Sequence, residues 1–239
     1  MLGRRIGTGR VAEVYADGDD VLKLYAAGIG PEQAEREAVV LAALLSTSLV
    51  VPKALGVIEI QGRWGLRMTR VAGAPLALAE GSASILADLH YAVHSHSITS
   101  LPLLKPRLAD RISRAVQLGD EERRALLGRL DVLNDGSNLC HGDFHPANIM
   151  VGEAGPAIID WLDASSGPAA ADVARTYLLA KHHFAALAKP YLDAYVARST
   201  LERESVMSWL PVLAAARLTE HVPDEETALL ALARTSLRF

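Results

Sequence analysis

The block His141-Gly142-Asp143-Phe144-His145-Pro146-Ala147-Asn148 gathers side chains that can do chemistry. Two His, an Asp and an Asn in one loop are costly to bury without partners, so the loop that holds them has a use for them. A carboxylate at Asp143 can orient an attacking hydroxyl and take its proton. The amide oxygen of Asn148, five residues on, can reach a metal. The apolar run Ala157-Ile158-Ile159 then delivers another carboxylate, Asp160, at the end of a strand. Asp160 lies twelve residues after Asn148, a spacing that lets a hairpin bring the two together. Mg²⁺ takes few protein carboxylates and fills its octahedron with phosphate oxygens and water, so this donor set suits it. The matching chemistry is phosphoryl transfer by positioning and charge neutralisation. A metal-hydrolase reading of His141, Asp143 and His145 competes, but no His-Glu-x-x-His accompanies it.

Elements are needed to hold these groups. Val14-Tyr15 and Val21-Leu22-Lys23-Leu24-Tyr25 flank the turn Asp17-Gly18-Asp19-Asp20 and alternate as strands do. From Glu32 to Leu45, Ala34, Ala38, Leu41 and Leu45 recur at helical spacing. Ala54–Ile60 and Trp64–Val71 read as strands around Gln61-Gly62. Residues 80–96 and 120–134 read as helices, and 139–151 and 157–160 as short strands around a loop. Beyond Pro168 the chain is rich in Ala and Leu, with helices broken at Pro190, Pro211 and Pro223. Gly73 and Pro75 punctuate the change of character. The expected division is therefore a β-rich lobe over 1–71 and an α-rich lobe over 72–239.

HGDFHPANIMV followed by AIIDW resembles the signature of the aminoglycoside phosphotransferase and choline kinase family. The resemblance spans Gly7 to about Asp172. It implies an α+β, two-lobed, protein-kinase-like fold that uses ATP and Mg²⁺, with Asp143 as catalytic base and Asn148 and Asp160 as metal ligands. Gly7-Thr8-Gly9-Arg10-Val11-Ala12 looks like the family's Gly-rich phosphate loop, with Ala12 replacing the third Gly. Lys23 falls where the phosphate-binding lysine does. Glu37 is its expected partner over Glu35, because Glu37 sits between Ala34 and Leu41 on the apolar helix face. Backbone at Thr69 and Val71 would bind the adenine edge, and Asp172 would have a supporting role. Trp161-Leu162 stands where protein kinases have Phe-Gly, and no Ala-Pro-Glu follows. Little room remains for an activation segment, which disfavours a protein substrate. The rival is a regulatory pseudokinase that binds nucleotide without transfer; the intact set Lys23, Asp143, Asn148 and Asp160 argues against it. No residue names the acceptor among aminoglycosides, choline-like alcohols and other hydroxyl compounds.

Composition excludes other classes. A net charge of −4 gives no broad basic face for nucleic acid. No apolar run approaches the length of a membrane span, and the basic start lacks the apolar stretch of a signal peptide. The single cysteine, Cys140, allows no intrachain disulfide and favours a reducing, cytoplasmic setting. In its apolar context Cys140 reads as a small buried residue rather than a nucleophile. His141 reads as a brace for its loop, and His145 as either loop support or a phosphate or substrate contact. His90, His94 and His96 read as the polar, exposed end of a helix. His182-His183 read as cleft or surface. Asp224-Glu225-Glu226 read as charge favoured at a helix N-terminus, with a cation-binding acidic wall as the alternative.

Overall fold

Alternating apolar and polar residues build the first sheet of the computed structural model. β1 (Arg5–Thr8), β2 (Ala12–Asp17) and β3 (Asp20–Tyr25) follow one another; α1 (Glu32–Leu44) intervenes before β4 (Ala54–Ile60) and β5 (Arg63–Thr69). The sheet is antiparallel with order β1-β2-β3-β5-β4. Central strand β3 is buried at Val21, Leu22, Lys23, Leu24 and Tyr25, so whatever Lys23 carries must be paired inside the protein. α1 packs on β4 and β5. Its buried face is Ala34, Glu37, Val40, Leu41 and Leu44, the spacing of a single helical stripe. Burying Leu41 and Leu44 contributes about 2 kcal/mol each.

A short β6 (Ala74–Pro75) follows, then α2 (Ser82–His94), α3 (Leu104–Arg114), α4 (Asp120–Val132) and β7 (Asn138–Cys140). β8 (Ile149–Gly152) and β9 (Gly155–Ile158) form a hairpin, and β6 pairs with β8 through Ala74 opposite Val151 and Pro75 opposite Met150. Gly73 is required here. Its φ is +116°, and a Cβ would stand 2.3 Å from the Val151 carbonyl oxygen. The chain continues through β10 (Ser165–Gly167), paired with β7, and α5 (Ala169–His183), α6 (Ala185–Arg198), α7 (Arg203–Met207), α8 (Leu210–Arg217) and α9 (Pro223–Arg234).

The structure describes residues 2–235. They form two compact units, one running to Ala77 and joined by Pro146–Asp163, the other Leu78–His145 with the chain from Ala164 on. A division at 71/72 in sequence does not capture this second crossing. β8 pairs with β6, the Ile158 N–H donates to Val50 O and Lys23 pairs with Asp160, and the Pro146–Asp163 segment falls in the sheet-bearing unit. In the helical unit α5 is the central element, buried at Asp172, Val173, Ala174, Arg175 and Thr176 in succession. A helix buried all round must satisfy its polar side chains internally.

Two helix expectations need correction. α3 escapes the sequence reading because Pro106 interrupts it, yet Pro106 sits in the first turn, where no intrahelical N–H bond is lost. Leu108 and Ile112, four apart, anchor it. Pro190 does not end a helix; it lies inside α6, and the break falls at Phe184. Pro211 and Pro223 do stand at the starts of α8 and α9.

Candidate active site

Within the sheet-bearing unit, β3 aims Lys23 at two carboxylates. The Nζ ammonium lies 2.8 Å from Glu37 Oε2 and 2.7 Å from Asp160 Oδ1. Burial alone would push this ammonium down, but Glu37 and Asp160 outweigh it and hold Lys23 above its usual range. Glu37 is 1% exposed, whereas Glu35 faces solvent, as helical spacing requires. The Tyr25 hydroxyl donates to Glu37 Oε2 at 2.8 Å. Sequence reading missed Tyr25, although it lies two residues after Lys23 and so on the same strand face. Burial, reinforced by Glu37, pushes its phenol up, so Tyr25 remains a donor.

The β8–β9 hairpin presents Asn148 and Asp160. Ile149 pairs with Ile158, and the Ile159 N–H donates to the Asn148 carbonyl oxygen at 2.9 Å. Asp160 has φ +64°, left-handed backbone that a non-glycine adopts at a cost of about 1 kcal/mol. Trp161, wholly buried beside it, donates Nε1–H to Ile158 O at 2.9 Å and anchors the turn.

A cavity of about 460 Å³ in this unit is lined by Gly7, Lys23, Glu37, Thr69, Val71 and Asp160 among others. Six of the residues singled out in the sequence thus share one space. Gly9 and Asn148 are not among its lining residues, although Ala147 is. Gly9 closes the β1–β2 turn, its N–H donating to Ala12 O at 2.8 Å. Added Cβ atoms would meet nothing nearer than 3.5 Å at Gly7 or 3.4 Å at Gly9, so the fold itself does not demand glycine at either position. The Thr69 N–H is committed to Lys53 O at 2.9 Å.

In the helical unit the chemistry-bearing loop is gripped by α5. Asp172 Oδ2 accepts the His141 N–H at 2.6 Å, and Oδ1 accepts the Gly142 N–H at 2.9 Å. Arg175, one turn on, donates Nε–H to the Gly142 carbonyl oxygen at 3.2 Å. Gly142 itself has φ +83°, which favours glycine. His141 is wholly buried, and its Nδ1 accepts the Asp143 N–H at 3.2 Å, the bracing role expected of it. Asp143 lies 3.4 Å from His145 Nε2 and 3.9 Å from Arg175 Nη2. Burial would raise the Asp143 carboxyl, but His145, Arg175 and His141 outweigh it and hold the group well below the usual carboxylate range.

His90 and His94 are not an exposed helix end. Both are buried, with Nε2 at 3.0 and 3.2 Å from Asp172 Oδ2 and Nδ1 2.6 Å from the hydroxyls of Tyr191 and Tyr195. Four apart on α2, they share one face, and that face meets α6 and the Asp172 side chain of α5. Burial, then His94, pushes His90 down to about 3, so the neutral imidazole donates to an ionised Asp172. These three side chains have the composition of a metal site. Direct bonds among them already occupy the ligand atoms, so they form a brace instead. Glu225 is likewise more than helix-terminal charge, being 2% exposed and bound by Arg217 Nη2 at 2.6 Å and His183 Nε2 at 2.8 Å. Cys140 is buried and its thiol is pushed up by that burial, which suits a packing role.

A sheet-bearing unit with a lysine–glutamate pair, followed by a helical unit with a carboxylate loop, defines a protein-kinase-like fold. The chain belongs to the phosphotransferase enzyme family, whose model matches residues 3–209. Solved structures agree at the level of fold. A thermostable mutant of aminoglycoside phosphotransferase APH(4)-Ia superposes with TM-score 0.71 at 15% identity, over 98% of this chain and 91% of that one. Choline kinase LicA from Streptococcus pneumoniae gives 0.67 at 15% identity, over 95% and 86%. APH(3'')-Id from Streptomyces rimosus gives 0.60 at 20% identity, over 89% and 92%. No curated protein matches the chain in sequence. Among the described residues no helix is long and apolar enough to cross a membrane.

Proposed function

We propose that this phosphotransferase moves the γ-phosphate of MgATP onto a hydroxyl of a small molecule. The observation that carries the reading is Lys23 Nζ held by Glu37 and Asp160 in the cavity that Gly7, Thr69 and Val71 also line. An ammonium kept charged by two carboxylates can exchange one of them for phosphate oxygens without losing its fixed position. Gly7 and Gly9, glycine without need in the fold, leave room beside the backbone for close approach by phosphate. Backbone at Thr69 and Val71 would meet the adenine edge. A structure of APH(4)-Ia holds ADP and hygromycin B together, which supports a nucleotide and a small acceptor here.

Asn148 and Asp160 would hold Mg²⁺. Both offer hard oxygens on one hairpin, and the Asp160 side chain is 42% exposed, open to a ligand as well as to Lys23. Bound there, Mg²⁺ supplies charge neutralisation to the phosphate oxygens. Asp143, ionised at neutral pH, orients the acceptor hydroxyl and takes its proton late, because a low-pKa carboxylate is a weak base for an alcohol. We assign the protein to a reducing, cytoplasmic setting, in keeping with its single buried cysteine.

The test is MgATP binding by calorimetry and ADP release against a panel of hydroxyl compounds, with Asp143→Asn as control. Acceptor-dependent ADP release lost in the variant supports transfer. Tight MgATP binding with no turnover of any acceptor would favour the pseudokinase.

A further inference from the structure

We infer that the acceptor is a hydroxyl compound with an apolar body and at most one positive charge, seated in a recess of about 560 Å³ between the starts of α2 and α6. The inference rests on the phosphotransfer reading and names the substrate class of that site. The recess begins beside the chemistry. His145 Nε2 is 3.4 Å from Asp143 Oδ2, and the His145 ring centroid is 6.0 Å from that of Phe184, which forms one wall. Leu78, Ala83, Ala186, Leu187 and Pro190 continue that apolar lining, and Glu80 is the acidic residue in it. A hydroxyl held at Asp143 would therefore have its remaining bulk directed over His145 against apolar groups.

The carboxylates of this unit decide the charge. A polycation needs an anionic partner for each ammonium that it desolvates. Glu220 is bound by Arg175 and Arg217, each at 2.7 Å. Glu225 is bound by Arg217 and His183. Asp193 on α6 pairs with Lys189 and Arg203, and Asp88 on α2 with Arg198. Asp172 serves the loop and two imidazoles. Of the acidic residues 224–226, Glu225 is neutralised from within and none of the three lines the recess, which leaves Glu80 as the recess's own anionic group. In the reaction the acceptor oxygen bonds to Pγ and the bond from Pγ to the bridging oxygen breaks. That bond's electron pair leaves with ADP, and the hydroxyl proton passes to Asp143 and then to solvent.

The test measures ADP release by the full chain with MgATP and phenylpropanol, cyclohexylmethanol or kanamycin. The two alcohols should raise release above the acceptor-free rate, and kanamycin should not. Ala186→Lys, at an exposed rim position, should raise the KM for phenylpropanol about tenfold while the KM for MgATP moves far less. Phe184→Ala should raise the same KM. A preference for kanamycin, or an unmoved phenylpropanol KM in both variants, would overturn the inference. Acceptor-free ATP hydrolysis with neither alcohol accepted would overturn the acceptor class and leave phosphotransfer standing; absence of MgATP binding would remove phosphotransfer itself.

Discussion

Asp143 is poised by its neighbours rather than by its own chemistry. Replacing it with Asn keeps the shape and removes the proposed proton acceptor, so MgATP affinity should persist in calorimetry while kcat falls by roughly a hundredfold or more. His141, His145 and Arg175 are the charged or titratable groups that face it. Arg175→Met removes the cation 3.9 Å from its carboxylate, so the Asp143 pKa rises. The acid limb of kcat/KM against pH should then move up by about one unit, and Arg175→Lys should restore part of the shift. A loss of activity without movement of that limb would make Arg175 merely structural. On the other unit, Glu37→Gln keeps a partner for Tyr25 but removes the charge that fixes Lys23. The KM for MgATP should rise about tenfold in steady-state assays. The pairing of Lys23 with Glu37 was legible because each has a type and a place in an ordered series. Arg175 was not, since an arginine amid an Ala-rich helix gives no sign of burial until α5 is seen to be central.

At the scale of elements, periodicity revealed the strands and helices that carry the site. β2, β3, β4, β5 and α1 fall within a few residues of their expected bounds, because period two and period 3.6 separate cleanly there. Short β10 and α3 did not show, the first for want of length and the second because Pro106 mimics a stop. The tertiary demands on single residues were also hidden. Gly73 looks like ordinary punctuation, yet β8 approaches its Cα so closely that a methyl group would strike the Val151 carbonyl. Gly73→Ala should therefore cost about 1–3 kcal/mol, read as a lower midpoint in thermal or urea unfolding. An unchanged midpoint would mean that β6 and β8 part without penalty. His90 and His94 were misread for a similar reason: the polar face of α2 looks solvated until α6 packs on it and Asp172 reaches the two imidazoles.

Across the whole molecule, buried titration sets acid stability. His90 is held at about 3, far below an ordinary imidazole near 6.5, because burial disfavours its cation. Between those values the unfolded chain binds a proton that the folded chain refuses, so stability falls as pH drops through that window. The slope is about 1.4 kcal/mol per pH unit for one proton. Asp172 is ionised in both states over the upper part of the window and adds nothing there. His90→Gln should flatten the pH dependence of urea unfolding between about pH 4 and 6 by that one proton. The split membership of the sheet-bearing unit has a consequence for how the chain is made. Lys23 waits 137 residues for Asp160, and β6 waits for β8. At ordinary ribosomal rates that is roughly seven to thirty seconds of synthesis. A fragment ending at Ala77 lacks those partners and should show no cooperative unfolding by circular dichroism. Until Asp160 is synthesised the nascent sheet carries a half-paired ammonium at its centre, so it cannot finish folding before the loop bearing Asp143 has already been made.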